Sequence, residues 1–337
     1  MNNLTTTTRK QLANTAELGA MANIAASGFI FTDYTSRKSA ATVKAHGFAL
    51  ALFTEYLASK GAAVGDLQTT AEAWAGITWG LVEGFKAWQL GQGFAIASIN
   101  NRLSAVKTYA KLAFKAGQLA EGEYLKIQAV TGYSVKEAGR VDSKRAANRQ
   151  GKKKAAHTRL TLSKARELKK QDMATPQGRR DAVLIILLLE HGLRVGELAG
   201  LQVGDIDLQV GELRFFRSKV SKTQTHKLTA NSLRILGAYL AADAPQGALL
   251  MGSNKAGQLV GGMSVRAISG RVAMLGAAVG VGGLSPHDLR HYWATNAAKS
   301  GSDLLALQEA GGWSSLAMPR RYVEEGAIAN EGIKLTL

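Results

Sequence analysis

Residues 285–291, Ser-Pro-His-Asp-Leu-Arg-His, contain the clearest helix start in this chain of 337 residues and its clearest candidate site. Ser285 is a typical N-cap, the proline after it suits the first helical position, and Asp288 stands where a carboxylate accepts from free backbone amides. His287 and Arg290 share one helix face near the positive N-terminus. An imidazole and a guanidinium beside free amides predict a binding site for phosphate.

The same seven residues allow two other interpretations. His287 and His291 are four residues apart, a spacing that resembles the paired histidines of zinc hydrolases. Zinc would need a third ligand, and because no further histidine follows His291, a distant carboxylate would have to supply it. The plainest interpretation is a capped helix with a solvated arginine and two hydrogen-bonded histidines.

Length and composition limit the class of protein. A chain of this length suggests two domains. The absence of cysteine excludes disulfides, thiolate metal sites and cysteine nucleophiles. The longest aliphatic run, Ala182 to Leu189, is too short to span a bilayer, and the first residues lack the pattern of a signal peptide. We therefore expect a soluble cytoplasmic protein.

The positive charge of the chain is concentrated in its middle. The net charge is +17, with a pI near 10.0. Residues 144–180 hold 13 basic and 2 acidic residues, whereas residues 1–143 hold 14 and 10, and residues 181–337 hold 15 and 13. A solubilising linker seldom needs such one-sided charge, so we expect a polyanionic partner.

The first half of the sequence has the periodicity of helices and no strand pattern before residue 140. Apolar residues recur at three- and four-residue steps over Ser39 to Ser59, Thr70 to Leu90 and Ala95 to Ala116. Residues 1–35 show little periodicity, and we expect a flexible arm or a short helix there. Residues 36–138 should form a helical domain.

The helix expected at Ala95 to Ala116 carries a row of lysines. Lys107, Lys111 and Lys115 are spaced four apart and line one face opposite the apolar stripe, while Arg102 stands apart from them. Such a row is usually the solvated face of a helix. It can also lie along a nucleic acid backbone.

Residues 139–159 are polar and basic with nothing to bury, so we expect an interdomain linker there. Beyond it, short strands of an antiparallel sheet alternate with helices. The expected strands are Asp205–Asp207, Glu212–Phe216 and His226–Leu228. Ser218–Thr223 should form a hairpin tip from which Lys219 and Lys222 project.

Five features of the second half resemble, in order and spacing, the motifs of the tyrosine recombinases, the family of phage integrases and Cre-type site-specific DNA recombinases. They are the stretch His191-Gly-Leu-Arg194-Val-Gly-Glu197-Leu, the hairpin lysine Lys219, the stretch His287-Asp-Leu-Arg290-His291, the stretch Gly311-Gly312-Trp313-Ser314-Ser315, and Tyr322 nine residues after Trp313. The resemblance covers roughly residues 160–325. The first half matches more loosely, around Ile99 to Val106.

This resemblance implies a fold that is mainly α with a small antiparallel β-sheet in the C-terminal domain. It implies a two-domain C-shaped clamp, with a helical N-terminal core DNA-binding domain and an α+β catalytic domain. The implied divisions are a flexible arm at 1–35, the core-binding domain at 36–138, the linker at 139–159, the catalytic domain at 160–325, and a tail at 326–337 that docks on a neighbouring subunit. Such a protein would work in the cytoplasm of a bacterial, archaeal or phage host cell.

The resemblance also implies which residues act. The implied catalytic residues are Arg194, Lys219, His287, Arg290, Trp313 and Tyr322, supported by Glu197 and His291. The two arginines would bind the phosphate together with Trp313, which stands where the family more often has His, as in its Cre-like branch. Lys219 would protonate the leaving oxygen, with Lys222 as the alternative. His287 would accept the proton of Tyr322 or help to hold the phosphate.

The implied function is site-specific recombination of double-stranded DNA through a covalent 3′-phosphotyrosine and a Holliday junction. A homotetramer would act on two DNA sites, without a metal or cofactor. The basic residues expected to contact DNA are Arg102, Lys107, Lys111, Lys115, Lys144, Arg145, Arg149, Lys152, Lys153 and Lys154.

Three other functions remain open at this point. A type IB topoisomerase-like or hairpin-forming enzyme would use the same chemistry to relax supercoils or close DNA ends. A zinc hydrolase would use His287 and His291. A non-catalytic DNA-binding relic would have no reason to keep all six catalytic residues.

Overall fold

The structure, a computed structural model, describes residues 3–144 and 157–326. The chain divides into two compact units, residues 1–153 and residues 154–337, and the division falls within the segment predicted as a linker. The described residues are mostly helical with two small antiparallel sheets, which confirms the predicted fold class. None of the helices they form combines the length and apolarity that crossing a membrane requires.

The first unit contains helices alone among its described residues. These are α1 (Asn3–Ser36), α2 (Ala40–Ser59), a short 3₁₀ helix (Glu72–Trp74), α3 (Trp79–Gly91), α4 (Ile96–Lys115), α5 (Glu121–Ala129) and α6 (Val135–Lys144). The helix expected from Thr70 to Leu90 begins only at Trp79. The hydrophobic core is built mainly from α2, α3 and α4, with Phe53, Phe85 and Val106 fully buried.

The predicted flexible arm at residues 1–35 is wrong, because this segment is the 34-residue helix α1. Alanine and other good helix formers recur along it, and no proline interrupts it. Near its end α1 packs on the core of the unit, whereas apolar side chains in its middle do not. Phe31 is buried against Tyr109, with ring centroids 5.8 Å apart, whereas Leu18, Met21 and Ile24 are exposed.

The second unit is built from helices and short strands. In order they are α7 (Leu162–Leu168), α8 (Pro176–Glu190), α9 (Val195–Gly200), a 3₁₀ turn (Val203–Asp205), β1 (Ile206–Asp207), β2 (Glu212–Arg217), β3 (Lys222–Lys227), α10 (Ala230–Asp243), β4 (Met251–Ser253), β5 (Leu259–Gly262), α11 (Val265–Ala278), α12 (Pro286–Lys299), α13 (Leu304–Gly311) and α14 (Ala317–Gly326). Helix α8 lies at the centre of its core, since Ala182–Leu189 are all at most 6% exposed.

Strands β1, β2 and β3 form an antiparallel sheet in that order. Strand β3 starts at Lys222, before the predicted His226, because its polar sequence shows no apolar alternation that would mark it. Strand β2 alternates exposed and buried residues, so its pleat turns Leu213, Phe215 and Arg217 inward. The pairing of Arg217 with Lys222 then closes a hairpin whose tip is residues 218–221.

Helix α12 begins as predicted. The Ser285 hydroxyl accepts from the Asp288 N–H at 3.4 Å, and the Asp288 carboxylate accepts from the Ser285 N–H at 2.8 Å. The other carboxylate oxygen of Asp288 accepts from the Thr158 N–H at 2.8 Å. The start of α12 is therefore held to the segment by which the chain enters the second unit.

Two glycines with positive φ allow a test of packing beside α12. Gly192, at φ +60°, lies where an added Cβ would come within 2.2 Å of the Trp293 ring, whereas Gly301, at φ +81°, has open space. We expect Gly301→Ala to lower the free energy of unfolding by about 1–2 kcal/mol, the cost of a left-handed backbone. Gly192→Ala should cost roughly 1–3 kcal/mol more, because the indole must move. Urea denaturation of both variants measures the difference, and equal losses would contradict the packing described here.

Candidate active site

The structure brings all six residues predicted as catalytic to the lining of one cavity of about 650 Å³ in the second unit. They are Arg194, Lys219, His287, Arg290, Trp313 and Tyr322. They come from separate segments: the start of α9, the tip of the β2–β3 hairpin, the first turns of α12, the loop after α13, and α14. Because these segments are far apart in sequence, the cavity exists only in the folded unit.

Arg194 is fixed at the N-cap of α9. Its N–H donates to Glu197 Oε2 at 2.8 Å, and its Nη1 donates to Glu197 Oε1 at 2.9 Å. Its Nη2 donates to the carbonyl of Gly312 at 2.9 Å. The pairing with Glu197 that the sequence suggests is therefore present, and it leaves the guanidinium facing the cavity.

Arg290 is buried, with 3% of its surface exposed. Its Nη2 donates to the Gly311 carbonyl at 2.5 Å, its Nη1 donates to the Gly192 carbonyl, and its guanidinium lies 4.7 Å from the centre of the Trp313 ring. Burial, and then the nearby positive Arg194, lowers the pKa of Arg290 to about 9. It still carries its charge at neutral pH.

A third arginine, Arg217, belongs to this group, although none of the sequence motifs contains it. Arg217 is 1% exposed, and its Nη1 lies 3.2 Å from both Glu197 oxygens and donates to the Gly311 carbonyl at 3.1 Å. Its Nη2 donates to the Ala310 carbonyl at 2.6 Å. The two-residue period of a strand could have indicated this orientation, because Arg217 lies two and four residues after the inward-facing Phe215 and Leu213.

His287 and Lys219 line the cavity beside the arginines. Burial, and then the charge of Arg290, lowers the pKa of His287, so its imidazole is neutral near pH 7. Lys219 is exposed on the hairpin tip, while Lys222 forms an ion pair with Glu309 at 3.2 Å. The cavity that holds the six residues is lined by Lys219 and not by Lys222.

Tyr322 is held inside the second unit by aromatic contacts. It is 1% exposed, its ring meets the edge of His291 with centroids 4.7 Å apart, and it lies 5.5 Å from Trp313. His291 in turn stacks on His157 at 4.0 Å. His291 therefore contacts the nucleophile candidate, and its supporting role stays a prediction.

The zinc interpretation gains nothing from the geometry. Across residues 3–144 and 157–326, no three His, Asp or Glu side chains lie close enough together to hold a metal ion. The rings of His287 and His291 are 6.3 Å apart and perpendicular rather than convergent.

The predicted DNA-contacting residues on α4 differ in their surroundings. Lys107, Lys111 and Lys115 line a groove together with Arg37 and Lys38, at the α1–α2 corner.

Lys111 and Lys115 are exposed, but Lys107 donates to the Gln128 and Val130 carbonyls at 2.6 and 2.8 Å, and burial lowers its pKa. Arg102 is outside the groove, over the Phe94 ring at 4.2 Å.

The remaining predicted DNA contacts belong to the linker. Lys144 is the last residue of α6. Arg145, Arg149, Lys152, Lys153 and Lys154 lie outside the described residues, as does the predicted docking tail from residue 327 onward.

Two histidines are buried behind the arginine group. His191 Nε2 lies 2.9 Å from the Ser232 hydroxyl, and burial lowers its pKa to about 4. His226 lies 3.4 Å from Arg217 Nη2, and burial, then His191 and Arg217, lowers its pKa to about 3. Both are therefore neutral in the folded protein near pH 7.

Comparison with known proteins identifies the family to which the second unit is similar. A model of the phage integrase family matches residues 158–327, about half of the chain. The chain belongs to the phage integrase family. The predicted resemblance to tyrosine recombinases, enzymes that cleave and rejoin DNA, is confirmed.

Curated relatives of this integrase-family chain include tyrosine recombinases of two bacteria. The tyrosine recombinase XerC of Haemophilus influenzae (strain PittEE) is 29% identical over 259 residues, which cover 76% of this chain and 79% of the relative. XerC of Proteus mirabilis is 30% identical over 167 residues, covering 48% of this chain and 53% of the relative. In the second comparison the match thus spans about half the length of the relative.

Solved structures of integrases share the fold. The Tn1549 transposon integrase in complex with transposon right end DNA has a TM-score of 0.61 at 13% identity, covering 88% of this chain and 94% of that one. A lambda integrase dimer bound to a COC′ core site has a TM-score of 0.60 at 16% identity, covering 91% and 96%.

The buried histidines predict how stability depends on pH. Both folded pKa values lie below the ordinary 6.5, so the unfolded chain binds protons that the folded protein does not. The free energy of unfolding should therefore fall as pH decreases from about 6.5 to 5, by up to about 1.4 kcal/mol per pH unit for each fully titrating histidine.

Urea denaturation at several pH values measures this slope. The pKa of Glu190 is lowered to about 2, so this residue affects the slope of stability against pH only below about pH 4.5. The slope between pH 5 and 6.5 therefore reports mainly on histidine. The double variant His191→Gln/His226→Gln should have a shallower slope whatever its absolute stability. An unchanged slope would show that neither histidine is kept neutral by the fold.

Proposed function

We propose that this protein is a site-specific DNA recombinase that cleaves and rejoins strands through Tyr322. The observation that carries the proposal is the convergence of Tyr322 with two cavity-facing arginines, a neutral histidine and a lysine at one cavity. Each of these groups has a distinct task in transferring a phosphodiester to a phenol. The family of the chain supports the same reaction.

The first task is to neutralise the scissile phosphate. Arg194 and Arg290 present forked donors that are charged at neutral pH, which suit non-bridging phosphate oxygens and the charge that develops on a five-coordinate phosphorus. The Trp313 indole N–H can donate to the same group. Glu197 offsets only part of the arginine charge, so the cavity keeps a positive potential that favours an anion.

The second task is to move two protons while one bond forms and another breaks. Tyr322 Oη attacks phosphorus and its proton passes to neutral His287. The bond from phosphorus to the 5′-oxygen breaks, and Lys219 supplies a proton to that leaving oxygen. Such transfers typically contribute about 10²–10⁴-fold each. Lys219 is preferred to Lys222 for this role because Lys222 pairs with Glu309 outside the cavity.

The 3′-phosphotyrosine keeps the energy of the broken bond, so a free 5′-hydroxyl from another strand can reverse the attack. Two rounds of this exchange would pass through a Holliday junction. We propose that a homotetramer on two DNA sites carries out both rounds. The tail at residues 326–337 would dock on a neighbouring subunit.

The groove of the first unit is the proposed second contact with DNA. Lys111, Lys115, Arg37 and Lys38 present positive charge along the groove, which suits a phosphate backbone. Lys107 is already occupied by two backbone carbonyls, so its task is to hold α5 against α4.

Trapping of covalent protein–DNA adducts tests the proposed nucleophile. The wild-type protein is incubated in EDTA with a DNA pool that includes the flanks of its gene, and adducts are resolved on a denaturing gel. We expect 3′-linked adducts from the wild type and none from Tyr322→Phe. Tyr292→Phe is the matched control, because Tyr292 lies on α12 and packs against the core, outside the cavity lining.

The other outcomes separate the alternatives. An adduct that survives in Tyr322→Phe but disappears in Tyr292→Phe would move the nucleophile to α12. Activity that disappears in EDTA would favour a metal-dependent hydrolase, and specific DNA binding without any adduct would favour a non-catalytic protein. Relaxation of supercoiled DNA without strand exchange would favour a topoisomerase-like reaction.

Salt dependence of DNA binding tests the groove. In Lys111→Ala/Lys115→Ala, the slope of log K against log salt should fall in magnitude by about 2, since each lost phosphate contact removes about 0.9. Lys107→Met should leave the slope unchanged and lower stability instead. Fluorescence anisotropy at four salt concentrations measures both slopes, and a change in slope for Lys107→Met alone would reverse the assignment.

A further inference from the structure

We infer that Arg217 is a positioning residue of the recombination site, which sets the geometry and charge of Arg194 through Glu197 and fixes the hairpin that carries Lys219. This inference rests on the proposed function. Arg217 is not itself part of the cavity lining, but it contacts Glu197, which is, so it would act through its neighbours.

The contacts of Arg217 join three elements of the second unit. It extends from the end of β2, meets both oxygens of Glu197 in α9 at 3.2 Å, and donates to the final carbonyls of α13, at Ala310 and Gly311. Its Nε donates to Gln224, whose own amide donates to the Glu309 carbonyl at 2.5 Å. At 1% exposure, no water is needed to complete these bonds.

The charge argument follows from the sharing of Glu197. The carboxylate lies between two guanidiniums, at 2.9 Å from Arg194 Nη1 and 3.2 Å from Arg217 Nη1. Without Arg217, Glu197 would neutralise Arg194 alone and would be free to turn toward it. With Arg217, the three arginines and one carboxylate keep a net charge near +2, and the geometry of the Arg194 pair is fixed. Charge held in this way in a low-dielectric site strengthens the binding of an anion.

The same side chain restrains the general-acid candidate. Lys219 is two residues beyond Arg217, and Arg217 pairs with Lys222 across the hairpin. The hairpin tip is exposed, and besides Arg217 the ion pair of Lys222 with Glu309 ties the hairpin to α13. Loss of the Arg217 bonds to α13 would therefore loosen both Arg194 and Lys219.

The test uses the full-length protein and a DNA site recovered by adduct trapping, nicked so that cleavage becomes irreversible. We expect Arg217→Met to form adducts about 10²-fold more slowly, a loss comparable to removal of one electrostatic donor. Its Kd for DNA should stay within about threefold, because DNA affinity is spread over many phosphates. Arg217→Lys should lie between the two, since it keeps the charge but not the fork.

A substrate with a neutral methylphosphonate at the scissile position separates an electrostatic role from a loss of folding. A folding defect would slow cleavage of the charged and the neutral substrate by the same factor. If Arg217 acts through the charge and orientation of Arg194, the defect of Arg217→Met should shrink to about tenfold or less on this substrate. A defect of equal size on both substrates would overturn the electrostatic part of the inference.

Two matched variants complete the experiment. Arg214→Met removes an exposed arginine from the same strand and should cleave at the wild-type rate. Gln224→Leu leaves Arg217 in place but removes one of its partners, and should slow adduct formation about fivefold even if Arg217→Met does not fold. Wild-type rates in both Arg217→Met and Gln224→Leu would refute the inference alone, whereas absence of adducts from the wild type would refute the proposed function with it.

Discussion

The carbonyls at the C-terminal end of α13 organise the second unit. Arg194, Arg217 and Arg290 all donate to the group formed by Ala310, Gly311 and Gly312. A helix C-terminus carries partial negative charge and unsatisfied acceptors, so it can hold cations that would otherwise repel one another. Burying three guanidiniums with one carboxylate would be costly without these acceptors. Helix α13 thus holds together a group of arginines whose positive charge is only partly cancelled by Glu197.

Other elements of the unit position the three guanidinium groups at that helix end. The turn after α8 delivers Arg194, the pleat of β2 delivers Arg217, and the capped start of α12 delivers Arg290. The apolar helix α8 fixes these elements relative to one another, because it is buried along almost its whole length. The site is therefore a property of the core, and only Lys219 depends on an exposed hairpin.

Sequence reasoning located the residues whose motifs are local and missed those defined by tertiary contacts. The spacing around Arg194 and Arg290 reflects single helix starts, which can be recognised from a few residues. Arg217 was missed because an arginine at the end of a strand is usually solvated, and its partners lie in α9 and α13. Strands β4 and β5 were missed because their glycines hide any β pattern, and α1 because it lacks an apolar stripe. The roles of the site residues remain predictions.

The burial of Tyr322 also bears on the fate of the proposed intermediate. A tyrosine that is 1% exposed and contacts His291 and Trp313 is surrounded by rings rather than by bulk solvent. A phosphate ester formed on it would meet few water molecules, so hydrolysis would compete poorly with attack by a strand end placed in the cavity. The aromatic packing around the phenol would thus also protect the DNA. A phosphotyrosine ester that escapes hydrolysis can be rejoined, whereas a hydrolysed one would leave a broken strand.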